Sequence, residues 1–355
     1  MLNFTVGPVM SGQEVLEIGG QSAPYFRTPE FSAIMFENEK YILRMMNAPE
    51  NSRCVFLTAS GTGSMESCVM NILNDKDKVI VINGGSFGQR FVELCTLHKR
   101  NFTEVKCEFA RQLRAEQLEG LEDHTALLIN MHETSSGLLY DMKMVSDFCK
   151  KNDILLIVDA ISSFIADELD MSEMGIGAVI TGSQKALAVQ PGISLVALAP
   201  EALKRVEENP EVCMYLSMKS ALLDGVRGQT PFTPAVTILL QINRRLKGIE
   251  ENGGIQEERN RIAAIAEEFR EGIKGLPFEI VSENPSNAVT ALHPRKNNAK
   301  EIFRILKDEY DIWICPNGGE MADKVLRVGH IGNITPEDNK KLIDSLYDMK
   351  KRGLL

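Results

Sequence analysis

What this chain lacks narrows its roles before any motif is considered. No apolar run is long enough to span a bilayer and no N-terminal leader pattern is visible, so the reading expects a cytoplasmic protein with no membrane partner. Positive charge is not in excess: 39 Lys and Arg against 49 Asp and Glu give a net charge of −10, which offers no electrostatic footprint for nucleic acid or an anionic membrane. The seven cysteines are scattered, odd in number and without a Cys-x-x-Cys pair, and they read as reduced, mostly buried thiols. The five histidines are isolated, so no zinc constellation is visible. Neither a Gly-x-Gly-x-x-Gly fingerprint nor a Gly-Lys-Ser/Thr phosphate loop occurs, which weighs against a nucleotide-binding protein without covalent chemistry.

What is present is ordinary globular composition, 44% hydrophobic and 25% charged over 355 residues, enough for two domains. Residues 1–15 read as an irregular arm containing Gly7-Pro8. A helix follows, with Thr28 as cap and Pro29 in its first turn. Continuous apolar strands are then expected at 55–58, 79–82, 126–131, 154–158, 178–181 and 194–198. Helices are expected between them at 64–73, 91–98 and 142–151. That alternation indicates an α/β fold, a mostly parallel sheet covered on both faces, with ligands bound beyond the carboxyl ends of its strands. Long helices follow Pro234 and Gln256, and the remainder reads as a smaller α+β unit. The division expected is a large domain over 16–252 and a small one over 253–355.

Five motifs fall at strand ends. Lys185 follows the run AVITGSQ. Alone it could be a solvated loop residue, but a lysine buried there would have a lowered pKa and be a usable nucleophile for a carbonyl. Asp159 ends ILLIVDA, 26 residues earlier and about one strand-helix-strand step away, where a buried carboxylate needs donors or a cation. Ser60, Gly61 and Thr62 form a hydroxyl-bearing turn ahead of a helix, able to cradle a phosphate or merely to cap. Phe87, in NGGSFGQR, could lie flat on an aromatic ligand. HETSSG offers Thr134 and Ser135 as donors. In the small unit, Arg327 of VLRVG suits a substrate carboxylate or an internal acid. An acid and a Schiff-base lysine bracketing one ring is how proteins tune pyridoxal phosphate.

In these segments the chain resembles the class-V aminotransferases, fold-type I pyridoxal phosphate enzymes, nearest the alanine-glyoxylate and serine-pyruvate group. The likeness covers nearly the whole chain, and IVDAISS with GSQKAL carries it most specifically. It implies a seven-stranded, mostly parallel sheet in the large domain and a homodimer with shared active sites. Carried over, Lys185 would bind the cofactor and Asp159 would meet its pyridine nitrogen. Ser60, Gly61, Thr62 and Gln184 would hold the phosphate, with Thr233 reaching across from the other subunit. Phe87 would stack on the ring, where members often carry Trp, and Thr134 would sit near its substituents. Arg327 would clamp the substrate carboxylate, with Gly7 on the substrate side. The activity implied is ping-pong transfer of an amino group from an alanine- or serine-type donor to pyruvate or glyoxylate. RVGHIGNI also resembles the 2-aminoethylphosphonate-pyruvate transaminases, which keeps an aminophosphonate donor open. Cysteine desulfuration ranks lower, because Gln184 stands where a His normally precedes the lysine and Cys315 lies in the apolar run WICP.

Overall fold

The computed structural model describes residues 1–355. In chain order, β1 (Leu2–Asn3), α1 (Gln13–Gly19) and α2 (Pro29–Met45) lead into the first strand of the main sheet. Thr28 Oγ1 accepts from Phe31 N at 3.2 Å and Pro29 opens the first turn, so α2 starts where its capping residues place it. There follow β2 (Arg53–Leu57), α3 (Gly61–Asn71), β3 (Lys78–Asn83), α4 (Ser86–Leu97), β4 (Asn101–Lys106) and β5 (Ala126–Asn130). A small hairpin of β6 (His132–Glu133) and β7 (Leu138–Leu139) precedes α5 (Met142–Lys151), β8 (Leu155–Asp159), α6 (Met171–Met174), β9 (Ile176–Gly182) and β10 (Ser194–Leu198).

The main sheet has seven strands in the order β2-β10-β9-β8-β5-β3-β4, and β10 alone runs against its neighbours. It is the mostly parallel sheet the apolar runs imply. Alternate residues of one strand feed opposite cores: Ile80 and Ile82 face one, Val79 and Val81 the other, all at most 1% exposed. Each such side chain contributes roughly 1.5–3 kcal/mol on burial. The strands are therefore the fixed frame, and side chains at their carboxyl tips are held to that frame.

Helices α7 (Pro200–Glu208), α8 (Met218–Gly225), α9 (Val236–Glu251) and α10 (Gly254–Gly272) lead to a four-stranded antiparallel sheet. Its strands are β11 (Phe278–Ile280), β12 (Val289–Pro294), β14 (Cys315–Pro316) and β15 (Leu326–Gly329), in the order β11-β12-β15-β14. Helix α11 (Ala299–Tyr310) and strand β13 (Ile312–Trp313) precede β14, and α12 (Pro336–Lys351) follows β15. Leu292, Leu326 and Val328 pack there with Phe269, Ile302 and Leu346 in a third core.

Three elements depart from the sequence reading. β4 is a seventh strand that the apolar runs do not announce, since NFTEVK alternates in exposure on the sheet edge beside β3. The amino-terminal arm is not wholly irregular. Leu2 and Asn3 pair in parallel with Ile312 and Trp313, and Phe4 is fully buried in the third core, while Val6 and Val9 join the main one. Helix α4 begins at Ser86 rather than near 91, which moves Phe87 from a loop into a helical turn.

Candidate active site

Lys185 sits in the turn that follows β9. The loop after it is closed by Ser183, whose Oγ donates to Gln190 O at 2.7 Å and accepts from Ile193 N at 3.4 Å. The lysine is thereby turned back under the amino-terminal arm, half-buried, with Nζ donating to Val6 O at 2.5 Å. Next to that carbonyl is Gly7, at φ +122°, and a Cβ added there would lie 2.6 Å from Lys185 Cδ and 2.8 Å from Nζ. Glycine is required twice over, by conformation and by space. Burial lowers the Lys185 pKa to about 8; the nearby Arg327 charge pushes the same way and Asp159 opposes.

Asp159 ends β8, the strand beside β9, opposite Ile180 in the register. Its carboxylate is buried and accepts from Asn130 Nδ2 at 2.6 Å and from Ile161 N at 2.8 Å. No Lys, Arg or His pairs with it. Burial raises its pKa to about 6; the two hydrogen bonds pull it down, Glu133 adds repulsion and Arg90 opposes. One sheet edge thus carries a carboxylate short of a cation beside an amine that resists being one.

Across that edge, Ser60 is the N-cap of α3, with extended backbone and a hydroxyl that makes no capping bond. Gly61 is wedged under the next motif, because a Cβ there would collide with Cδ1 of Ile161. Thr62 Oγ1 accepts from Arg90 Nη1 at 3.1 Å. The Arg90 guanidinium lies over the Phe87 ring, its carbon 4.9 Å from the centroid, and is in no ion pair. Phe87 is positioned by Glu133, whose buried carboxylate takes Phe87 N at 3.2 Å and Gly88 N at 3.0 Å and so satisfies two orphan donors of α4. Ser135 also serves Glu133, donating its hydroxyl at 2.5 Å, and is a support for α4 rather than a free donor.

Arg327 comes from the other sheet, opposite Ala291 of β12 and Cys315 of β14. Nη1 donates to Thr134 O at 3.3 Å, and Nη2 to Cys315 Sγ at 3.1 Å and Pro316 O at 3.3 Å. No acid meets this guanidinium, and its Nε has no partner. The internal ion pair that sequence left open is absent. Thr134 Oγ1 bonds Ser162 Oγ at 2.8 Å, and His132 Nδ1 lies 2.9 Å from the same oxygen.

The structure therefore gathers Lys185, Gly7, Asp159, Thr134 and Arg327 around one edge, with Ser60, Gly61, Thr62 and Phe87 joined to them through Ile161 and Arg90. Gln184 is half-buried, its side chain folded beside Gly182. Thr233 stands apart: it is exposed, next to the stacked Tyr215 and Phe232 rings. Arg90, Glu133, His132 and Ser162 are site neighbours that motif reading passes over. For Arg90 a signal existed, since Phe87 and Arg90 are three residues apart and share a helical face.

Pyridoxal phosphate fits this donor set. The pyridine nitrogen's chemistry suits a buried carboxylate without a cation, Asn130 Oδ1 is unsatisfied beside it, and an unpaired guanidinium with an uncommitted cap hydroxyl stands at a helix start.

Among known proteins, the aminotransferase class-V family model matches residues 20–331. The serine–glyoxylate aminotransferase of Arabidopsis thaliana is 26% identical over 93% of this chain and 85% of its own. The 2-aminoethylphosphonate–pyruvate transaminase of Phocaeicola vulgatus is 25% identical over 84% of each. A subgroup IV aspartate aminotransferase from Thermus thermophilus has the same fold, with a TM-score of 0.91, 24% identity and 100% of both chains covered. With the family model spanning both sheets, the chain belongs to the class-V aminotransferases and is a transaminase of that family.

Proposed function

We propose that this transaminase uses pyridoxal phosphate and moves the amino group of a small donor, alanine or serine in type, to a 2-oxo acid such as pyruvate or glyoxylate. The observation that carries the reading is a buried carboxylate at the tip of β8 and a half-buried amine in the turn after the adjacent β9, not paired with each other: Asp159 is pushed up to about 6 and Lys185 down to about 8. Perturbed groups of opposite type at one strand edge are what a tuned active site requires.

The roles follow from the contacts. Asp159, held by Asn130 and Ile161 N, would meet the pyridine nitrogen. Ser60, Gly61, Thr62 and Gln184 would take the phosphate beside Arg90, with Thr233 of a second copy completing the cradle. Phe87 would cover the ring, and Thr134 would contact its substituents. Arg327, whose guanidinium meets no acid, would bind the donor's carboxylate, and Gly7 would keep the arm clear of the amine. When bound, the cofactor supplies an electron sink that acidifies the donor's Cα–H bond. With a pKa about 8, roughly half of the Lys185 population is neutral at pH 8 and able to take that proton at Nζ. Val6 O is placed to accept from the ammonium so formed.

Met214, Tyr215, Leu223 and Val226 leave large apolar side chains exposed, and the Tyr215 ring stacks on Phe232 next to Thr233, which supports the homodimer this reading needs. No helix is long and apolar enough to cross a membrane. The two sheets support a large and a small domain divided near residue 252.

A second reading has a specific basis. The Arg327 guanidinium faces no acid, and such a fork takes a phosphonate as well as a carboxylate, so 2-aminoethylphosphonate is an alternative donor. One panel tests both: alanine, serine, aspartate and 2-aminoethylphosphonate against pyruvate and glyoxylate, followed by the spectral conversion of bound cofactor. Borohydride should trap the cofactor on Lys185, and Lys185→Ala should abolish both the adduct and turnover. If no donor converts the cofactor, the reading falls.

A further inference from the structure

We propose that His132 is a positioning residue, acting through Ser162 to aim the hydroxyl hydrogen of Thr134 at the ring oxygen of the bound cofactor. The inference rests on the cofactor reading above and adds a residue that the family resemblance does not assign.

The three side chains form a buried line: His132 is 2% exposed, Ser162 5% and Thr134 4%. His132 Nδ1 is 2.9 Å from Ser162 Oγ, and Ser162 Oγ is 2.8 Å from Thr134 Oγ1. Hydroxyls rotate, so two hydroxyls alone leave the direction of such a line open. The imidazole narrows the choice. It is buried among the charges of Lys185, Arg327 and Arg270, and desolvation first and these cations second lower its pKa to about 3, so it is neutral and carries one N–H. Its Nε2 has no partner. A proton there would bury an orphan donor, the rarer and costlier defect; a proton on Nδ1 leaves only a bare lone pair.

With Nδ1–H on one lone pair of Ser162 Oγ, two directions remain: the serine donates to Thr134 Oγ1, or the threonine donates to the serine and strands the serine's hydrogen in the buried line. The first is the one assigned, because it strands no hydrogen once a ring oxygen stands before Thr134. Thr134 then accepts, and its own hydrogen is left with no acceptor among the protein's atoms. Arg327 Nη1 reaches the Thr134 carbonyl at 3.3 Å, so this free donor lies close to the groups around Lys185. A donor aimed at a phenolate oxygen withdraws electron density and lowers the proton affinity that oxygen shares with the lysine nitrogen.

The test is cofactor affinity, by fluorescence titration, together with the pH midpoint of the bound cofactor's visible absorbance. The variants leave Lys185, Asp159, Glu133, Arg90 and Arg327 in place. His132→Leu and Ser162→Ala should each weaken binding about five-fold and raise the midpoint by about one pH unit, the effect of losing one hydrogen bond. His132→Asn, whose amide can donate from nearly the same place, should restore the midpoint. The double variant should be no worse than either single one, because a broken line breaks once. Unchanged midpoints, or additive losses in the double variant, overturn the proposal. Should His132→Leu fail to fold, Ser162→Ala and His132→Asn decide it. A wild-type protein that binds no pyridoxal phosphate overturns the cofactor reading with it, whereas normal binding with indifferent variants overturns this proposal alone.

Discussion

Lys185 Nζ donates to the backbone carbonyl of Val6 at 2.5 Å, tying the amino-terminal arm to the turn after β9. The contact passes over Gly7, where a Cβ would fall 2.6 Å from Lys185 Cδ. Gly7→Ala should therefore displace the lysine as well as strain a backbone at φ +122°, at a cost of about 1–3 kcal/mol. We expect turnover to fall by about ten-fold or more while Lys185 can still be labelled. Steady-state kinetics on a folded variant checks this, and unchanged turnover would show that the arm does not restrain the amine.

Asp159 is costly to the protein without cofactor, and the sign of that cost can be tested. Its pKa rises from an ordinary 3.8 to about 6 on folding. A raised carboxyl means the folded state holds its proton more tightly, so stability is lost as pH rises through the window from 3.8 to about 6 and stays lost above it. The size is on the order of 3 kcal/mol. Asp159→Asn removes that charge. Asn130 can turn its unsatisfied Oδ1 toward the new amide, so the exchange is accommodated. Cofactor-free Asp159→Asn should melt several degrees above wild type at pH 8 and show little advantage near pH 4, while transamination falls about a hundred-fold or more. A wild-type protein more stable than the variant at pH 8 would contradict this account of the buried carboxylate.

How far sequence reaches is clear from these same residues. Strand tips were readable because a buried parallel strand is a continuous apolar run, and a polar residue ending it, as Asp159 ends LLIVD, is conspicuous. β4 was not, because an edge strand needs only alternate burial and NFTEVK has little apolar content. The start of α4 was not either. Its first donors are satisfied by Glu133, 46 residues from Phe87, and no local cap announces the helix. The unpaired state of Arg327 was equally out of reach, since sequence shows an arginine and not the absence of an acid opposite it.

That unpaired state yields a kinetic prediction. Arg327→Gln keeps a hydrogen-bonding side chain but removes the charge, and a charged hydrogen bond contributes about 1.5–3 kcal/mol. Donor kcat/KM should fall about ten- to hundred-fold, mainly through KM, with pyridoxal phosphate affinity nearly unchanged because Arg327 comes from the other sheet. Arg327→Lys should recover only part of the loss, lacking the planar fork. Equal losses in cofactor affinity and in KM would assign Arg327 to the cofactor instead.

A change at Arg90 tests the proposed phosphate site apart from the rest of the proposed cofactor site. Its guanidinium reaches Thr62 Oγ1 at 3.1 Å, stacks on Phe87 and meets no carboxylate, so it is placed to neutralise an anion at the start of α3. Arg90→Leu should weaken pyridoxal phosphate binding about ten-fold, the effect of one charge-assisted hydrogen bond. Pyridoxal, which lacks the phosphate, should bind wild type and variant with similar affinity. Equilibrium dialysis of both ligands against both proteins checks this. If pyridoxal binding falls as much as pyridoxal phosphate binding, the loss comes from the unsupported Phe87 ring, and Arg90 acts by holding the aromatic wall instead of the anion.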